Sequence, residues 1–194
     1  PAEKPLLLPC SLQRYTIDRM NKSPRRIVER TPNWVGDAVM SAPAVRALRA
    51  LYPNARITLL ASRYVLPIYE AAPWFDDTIA CDFRGVHAGL RGLLRLAGRL
   101  RSQRYDLAVI FPNSFGSALL MFLAGVPRRV GYRRDGRGLL LTDALEPLRS
   151  GGRIIPRNMV DYYLELCYYL GARTFERRVE LFTTPQGERA AREI

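Results

Sequence analysis

The chain has 194 residues, of which 48% are hydrophobic and 25% are charged. These values describe a packed globular domain, so a disordered chain is excluded and a second complete domain is not expected. The formal net charge of +12 favours an anionic partner, whether nucleic acid, an acidic membrane surface or a phosphorylated substrate. All apolar runs are far shorter than the roughly 18 residues of a membrane-spanning helix.

The amino-terminal segment, residues 1–25, shows no sustained periodicity and is predicted to be a disordered tail. Met20 is a candidate natural start. The cysteines, Cys10, Cys81 and Cys167, are odd in number and widely spaced, which favours a reducing cytoplasm over a disulfide framework.

The next segments alternate between strand and helix patterns. The predicted elements are a strand at Arg26–Arg30, a helix at Ala38–Leu51, a strand at Ala55–Ala61, a short helix up to Ala72 and a strand around Thr78–Cys81. Glu29 is unusual because buried parallel strands avoid charge, so we expect it near the strand's end or facing a cleft.

The second half continues the alternation. An amphipathic helix is predicted at Val86–Arg104, with Leu90, Leu93, Leu94, Ala97 and Leu100 on one face and Arg91, Arg95 and Arg99 on another. Further predicted elements are strands at Asp106–Pro112, Arg128–Tyr132 and Val179–Phe182, and helices at Phe115–Ala124, at Met159–Leu170 and from Pro185 onward.

Strands separated by helices predict a Rossmann-like α/β fold, an open parallel sheet with helices on both faces. In such sheets the ligand binds beyond the carboxyl ends of the strands. Two loops follow strands and should open on that edge, TPNWVGD at Thr31–Asp37 and FPNSFGS at Phe111–Ser117.

The first of these loops lacks the glycine pattern of dinucleotide-binding and phosphate-binding loops, since it has only Gly36. It offers a carboxylate instead, Asp37, at the start of a helix. An acidic residue there is often a cap or a partner of the helix dipole, and Asn113 and Ser114 similarly stand where a helix cap belongs. Position alone therefore leaves structural and functional roles open.

Three longer stretches carry a family resemblance: Pro32–Pro53, Tyr105–Tyr132 and Leu139–Thr142. Together they resemble the ADP-heptose:lipopolysaccharide heptosyltransferases of glycosyltransferase family 9, and most resemble the heptosyltransferase II group. The pairing of PNWVGD with PNSF at this separation carries the resemblance.

The resemblance implies the amino-terminal half of an inverting GT-B glycosyltransferase, with residues 26–183 as the acceptor-binding domain and residues 184–194 leading toward a missing donor domain. It implies that Asp37 is the general base that accepts a proton from the acceptor hydroxyl. Implied acceptor-binding residues are Asn33, Trp34, Gly36, Arg84, Asn113, Ser114, Arg133 and Arg134. The donor ADP-heptose is expected mainly on the missing domain, so this chain alone is expected to be inactive.

The expected partners are the Kdo-lipid A acceptor carrying heptose, ADP-heptose and the cytoplasmic face of the inner membrane. The basic residues suited to acidic sugars, phosphates or lipid are Arg84, Arg128, Arg129, Arg133, Arg134 and Arg137, with Arg91, Arg95 and Arg99 as membrane contacts. No cofactor or metal is expected, since His87 is the single histidine. No nucleic-acid-binding module is recognised. The alternative function is a non-catalytic domain that binds lipopolysaccharide precursor or another anionic ligand.

Overall fold

A computed structural model describes residues 23–83, 85–173 and 176–193. In these residues one sheet has six strands, β1 (Arg26–Arg30), β2 (Arg56–Ser62), β3 (Asp77–Cys81), β4 (Leu107–Ile110), β5 (Arg128–Tyr132) and β6 (Asp143–Leu145). The α-helices are α1 (Val35–Leu51), α2 (Gly89–Ser102), α3 (Phe115–Leu123), α4 (Met159–Tyr169) and α5 (Pro185–Arg192). Two 3-10 turns, Leu66–Tyr69 and Arg137–Leu140, and a hairpin of β7 (Arg149–Ser150) and β8 (Arg153–Ile154) complete the described elements.

The sheet is parallel throughout, with the strand order β3-β2-β1-β4-β5-β6. Helices α1 and α4 bury their apolar residues on one face, and α2 and α3 bury theirs on the other. Central strands covered on both faces explain the continuous apolar runs of β2 and β4. The predicted Rossmann-like α/β fold with helices on both faces is confirmed.

The strand order reverses direction between β1 and β4. From β1 the chain builds outward through β2 and β3, and from β4 it builds the opposite way through β5 and β6. Connections at such a point leave on opposite faces, which opens a crevice at the carboxyl ends of the two strands. Arg30 of β1 lies beside Ile110 of β4, so the two predicted loops leave the sheet side by side.

Several sequence predictions need correction. Residues Val179–Phe182 form no strand in the described chain, because they lie against α1 and its neighbours: Glu180 pairs with Arg46 at 2.9 Å and the ring of Phe182 meets that of Trp74 edge-on at 5.3 Å. The predicted short helix before Ala72 is only the 3-10 turn Leu66–Tyr69. Strand β6 and the β7–β8 hairpin were not predicted.

Helix α2 buries only part of the predicted apolar stripe. Leu96, Ala97 and Leu100 are buried and Leu93 packs against the core, whereas Leu90 and Leu94 are 69% and 49% exposed. Successive helical residues are about 100° apart, so Leu94 falls to the side of the buried stripe, and Leu90 lies in the first turn at its end.

Glu29 is the next-to-last residue of β1 and does not face the cleft. It is fully buried, and the pKa values of Tyr69 and Cys167, which belong to the core under α1 and α4, are raised in part by its carboxylate. Neither of its carboxyl oxygens has a hydrogen-bond partner in the described residues. Burial raises its pKa well above the usual carboxyl range, which favours the protonated, neutral form of Glu29.

The predicted tail, residues 1–25, lies largely outside the described residues, which begin at residue 23. Cys10 and Met20 both fall in the part that is not described. At the other end, Thr184 caps α5 through its hydroxyl, which accepts a hydrogen bond from the backbone N–H of Gly187 at 3.0 Å. None of the helices in the described residues has the length and apolar character needed to cross a bilayer.

Candidate active site

Asp37 is the third residue of α1 and is half-buried. The residue that precedes the helix, Trp34, makes no side-chain cap, and the described residues show no hydrogen bond from a helix N–H to the Asp37 carboxylate. Asp37 is therefore not a capping residue. Its carboxylate remains open to interaction outside its own helix.

Tyr163 of α4 contacts this carboxylate. Tyr163 is 3% exposed, and its pKa is raised first by burial and then by the neighbouring Asp37. A phenol with a raised pKa keeps its proton, so the Tyr163 hydroxyl remains a potential donor near the Asp37 carboxylate.

A second tyrosine braces the turn that carries Asp37. The Tyr69 hydroxyl donates to the carbonyl oxygen of Ala38 at 2.6 Å, lies 2.7 Å from the Ser41 hydroxyl and accepts from Thr31 at 3.4 Å. Burial raises the pKa of Tyr69, so this phenol also stays protonated. The network joins the loop, the first turn of α1 and the 3-10 turn, which fixes the backbone beneath Asp37.

The two polar residues of the second loop, which follows β4, have different roles. The Ser114 hydroxyl caps α3, because it accepts from the Ser117 N–H at 3.4 Å and lies 2.7 Å from the Ser117 hydroxyl. Asn113 makes no cap. Its side-chain oxygen instead accepts from the Tyr162 hydroxyl at 3.0 Å and from the guanidinium of Arg137 at 3.2 Å.

Two consecutive tyrosines of α4 thus connect the two loops. Tyr163 reaches Asp37, and Tyr162 reaches Asn113. Their rings meet edge-on at 5.8 Å. The fold therefore brings the two sequence motifs to one edge of the sheet through a helix that lies far from both in sequence.

A cavity of about 220 Å³ adjoins Asn113. One wall is the Tyr132–Tyr162 pair, whose rings stack at 3.9 Å with an interplanar angle of 13°. The remaining lining includes Arg134, Arg157, Glu165, Ile155 and Met159. Glu165 already pairs with Arg157 and accepts from Tyr132 at 2.6 Å, which leaves Arg134 as the lining cation best placed to meet an anionic group.

Residues of the first loop have distinct environments. Trp34 is 72% exposed and so is not a core aromatic residue. Gly36 borders open space, because a Cβ added there would meet no atom within 4 Å. Asn33 accepts a hydrogen bond from Arg30 through its side-chain oxygen and another from Tyr64 through its backbone carbonyl.

The arginines predicted to bind the ligand together have different environments. Arg134 lines the cavity, and exposed Arg133 pairs with Glu146 at 2.7 Å. Arg137 is wholly buried and cannot bind a ligand directly, which contradicts the prediction for this residue. Arg128 pairs with Asp143 at 3.3 Å, and Arg129 binds the carbonyl of Leu140 at 2.7 Å. Arg84 lies outside the described residues.

Sequence reasoning missed three residues that shape this edge, Arg30, Tyr162 and Tyr163, and it assigned Arg137 to ligand binding although this residue is buried. The aromatic-rich pattern of α4 was visible, but its contacts depend on how α4 packs. Within the described residues, no three His, Cys, Asp or Glu side chains gather as a metal-binding group.

A parallel sheet in this strand order, with a carboxylate and a basic, aromatic cavity at its carboxyl edge, defines a Rossmann-like α/β domain suited to bind a ligand there. The sequence profile of glycosyltransferase family 9 (heptosyltransferase) matches residues 93–169. The chain belongs to this family.

Individual relatives and solved structures support this family assignment. Lipopolysaccharide heptosyltransferase 2 of Salmonella typhimurium is 35% identical over 144 residues, which are 72% of this chain and 39% of that protein. The structure of E. coli ADP-heptose LPS heptosyltransferase II is 31% identical, with a TM-score of 0.64 over 86% of this chain and 49% of that one. A glycosyl transferase family 9 structure from Veillonella parvula has a TM-score of 0.76 over 87% of this chain and 48% of that one, and at 20% identity supports the fold alone. The chain spans about two-fifths to one half of the length of these relatives.

Proposed function

We propose that this chain is the amino-terminal, acceptor-binding half of a GT-B heptosyltransferase that transfers heptose from ADP-heptose to the inner-core heptose of lipopolysaccharide. The observation that carries the proposal is Asp37: it stands in the first turn of α1, is not used as a cap and lies near the buried Tyr163. The identity to lipopolysaccharide heptosyltransferase 2 supports the choice of substrates. ADP-heptose is proposed to bind mainly to a second domain.

In the proposed mechanism Asp37 is the general base. The acceptor hydroxyl oxygen forms a bond to the anomeric carbon as the bond from that carbon to the ADP oxygen breaks. The hydroxyl proton passes to the Asp37 carboxylate, and ADP leaves with the electron pair. Attack from the side opposite the leaving group inverts the configuration at that carbon.

The surroundings of Asp37 suit this role. Asp37 lies in the first turn of α1, at the edge of the sheet where the acceptor is proposed to bind. We propose that the nearby Tyr163 hydroxyl donates to it, which would hold the carboxylate in one orientation before the acceptor arrives. The braced turn beneath it limits the rearrangement needed at the moment of reaction.

The acceptor is acidic, and we propose that Arg134 in the cavity and the adjacent exposed residue Arg133 attract its Kdo and phosphate groups. We further propose that the enzyme rests on the cytoplasmic face of the inner membrane through α2. There Leu90 and Leu94 are exposed beside Arg91 and Arg95, an arrangement suited to an anionic lipid surface.

The test is the substitution Asp37→Asn in the complete native protein that contains this chain, assayed with ADP-heptose and heptosylated Kdo-lipid A. Loss of the base should lower kcat by about 10²–10⁴-fold with folding retained. The matched control is Asp161→Asn, because Asp161 is likewise the third residue of a helix, α4, but pairs with Arg177 at 2.6 Å. Retained turnover in Asp37→Asn would remove Asp37 from the mechanism, and equal losses in both variants would reduce its role to helix stability.

A further inference from the structure

Two arginines are wholly buried in the described residues, and each lies beneath one of the two loops at the crevice. Arg30 is 1% exposed and Arg137 is 0% exposed. Burial of a guanidinium is costly unless its N–H groups are satisfied, and here burial lowers the pKa of Arg137 to about 10. The groups that these guanidiniums bind therefore decide their role.

Both arginines bind a loop carbonyl and an asparagine, in addition to a strand carbonyl of Leu60 or Tyr132. One terminal nitrogen of Arg30 donates to the carbonyl oxygen of Thr31 at 2.6 Å, and the other donates to the side-chain oxygen of Asn33. One terminal nitrogen of Arg137 donates to the carbonyl oxygen of Pro112, and the other donates to the side-chain oxygen of Asn113 at 3.2 Å. Each guanidinium therefore clamps a backbone carbonyl and the asparagine of a Pro-Asn pair.

The two Pro-Asn pairs occupy equivalent places. Arg30 of β1 lies beside Ile110 of β4, and each asparagine follows three residues later. The clamp on the second loop also needs room, because a Cβ at Gly131 would come within 3.2 Å of the Arg137 guanidinium. The glycine in β5 thus makes space for this contact.

A guanidinium has only donors, so the amide oxygen of each asparagine must face it and the amide nitrogen must face away. In the described residues neither Asn33 nor Asn113 has a hydrogen bond from its side-chain nitrogen. Both residues are half-exposed, and Asn113 lines the cavity. Two NH₂ donors without a protein partner in the described residues are therefore held at the crevice, with the amide oxygen of each fixed by an arginine.

We propose that Arg30 and Arg137 are positioning residues that turn Asn33 and Asn113 into a paired donor site for the hydroxyl and carboxylate oxygens of a sugar ligand. This inference rests on the proposed function, because it assigns the acceptor sugar to the site. The arginines act through the asparagines and do not touch the ligand.

The decisive substitutions are Asn33→Asp and Asn113→Asp in the complete native protein. Aspartate keeps an oxygen for the arginine but replaces the outward donor by an acceptor, so the clamp survives and the ligand contact is lost. We expect the KM for heptosylated Kdo-lipid A to rise about tenfold or more, with the KM for ADP-heptose and the thermal midpoint unchanged. Arg137→Lys, which removes the fork, should raise the same KM and also lower the thermal midpoint.

The matched control is Asn54→Asp, in the exposed turn that follows α1, which should leave both KM values unchanged. An unchanged acceptor KM in both loop variants would overturn the inference, as would their failure to fold, since aspartate preserves the arginine contact. If the wild-type protein transfers no heptose, the proposed function fails, and equilibrium binding of the same lipid decides the inference. Weaker binding by the two variants supports it, and equal binding or none overturns it.

Discussion

Glu29 places a carboxyl group in the middle of the core, and its removal should stabilise the protein. The side chain is fully buried between the sheet and the helices α1 and α4, and neither oxygen is satisfied in the described residues. An unsatisfied buried polar group costs roughly 1–3 kcal/mol. Glu29→Met, an apolar side chain of similar shape, should therefore raise the free energy of unfolding by about that amount at low pH.

The gain should grow with pH. The folded pKa of Glu29 is raised by burial, whereas the unfolded side chain titrates near about 4.3. Above that value the unfolded state releases its proton while the folded state retains it, so the wild-type protein loses about 1.4 kcal/mol per pH unit until the folded pKa is passed. Glu29→Gln, neutral at every pH, should match wild type near pH 4 and exceed it increasingly as the pH rises, until the folded pKa of Glu29 is passed.

Urea unfolding followed by circular dichroism at several pH values measures this difference. The matched control is Glu70→Gln, at the exposed end of the 3-10 turn, which should change stability little at any pH. A difference between Glu29→Gln and wild type that stays constant from pH 4 to pH 8 would refute the reasoning. It would mean that Glu29 is ionised in the folded state or partnered by water.

Two further predictions concern a helix cap and the basic helix. Ser114→Ala should lower the free energy of unfolding by about 1 kcal/mol in urea titrations, because Ser114 caps α3. The control Ser102→Ala, at the exposed end of α2, should lower it less. Equal losses of unfolding free energy in the two variants would argue against a capping role for Ser114. The double substitution Arg91→Glu and Arg95→Glu should reduce the fraction of protein that sediments with anionic phospholipid vesicles, without changing the thermal midpoint. An unchanged fraction would show that α2 is not the lipid-facing surface.

The resemblance carried by the PNWVGD and PNSF motifs predicted the family, and the alternation of strands and helices predicted the fold. The fold prediction succeeded because buried parallel strands require continuous apolar residues, which can be recognised directly in the sequence. Strand β6 was missed because it has only three residues, Asp143–Leu145, one of them charged. The segment Val179–Phe182 was misread because an extended, apolar segment has the same pattern whether it joins a sheet or covers a helix.

The sequence by itself determined where the two loops begin, that Asp37 opens a helix and that Ser114 stands at a cap. Only the tertiary structure decided which side chains support them. Tyr163 reaches Asp37, and Tyr162 and Arg137 reach Asn113, from positions 126, 49 and 24 residues away along the chain. Such contacts are set by how α4 packs on the sheet and how the turn after β5 folds back, and local pattern does not encode that geometry.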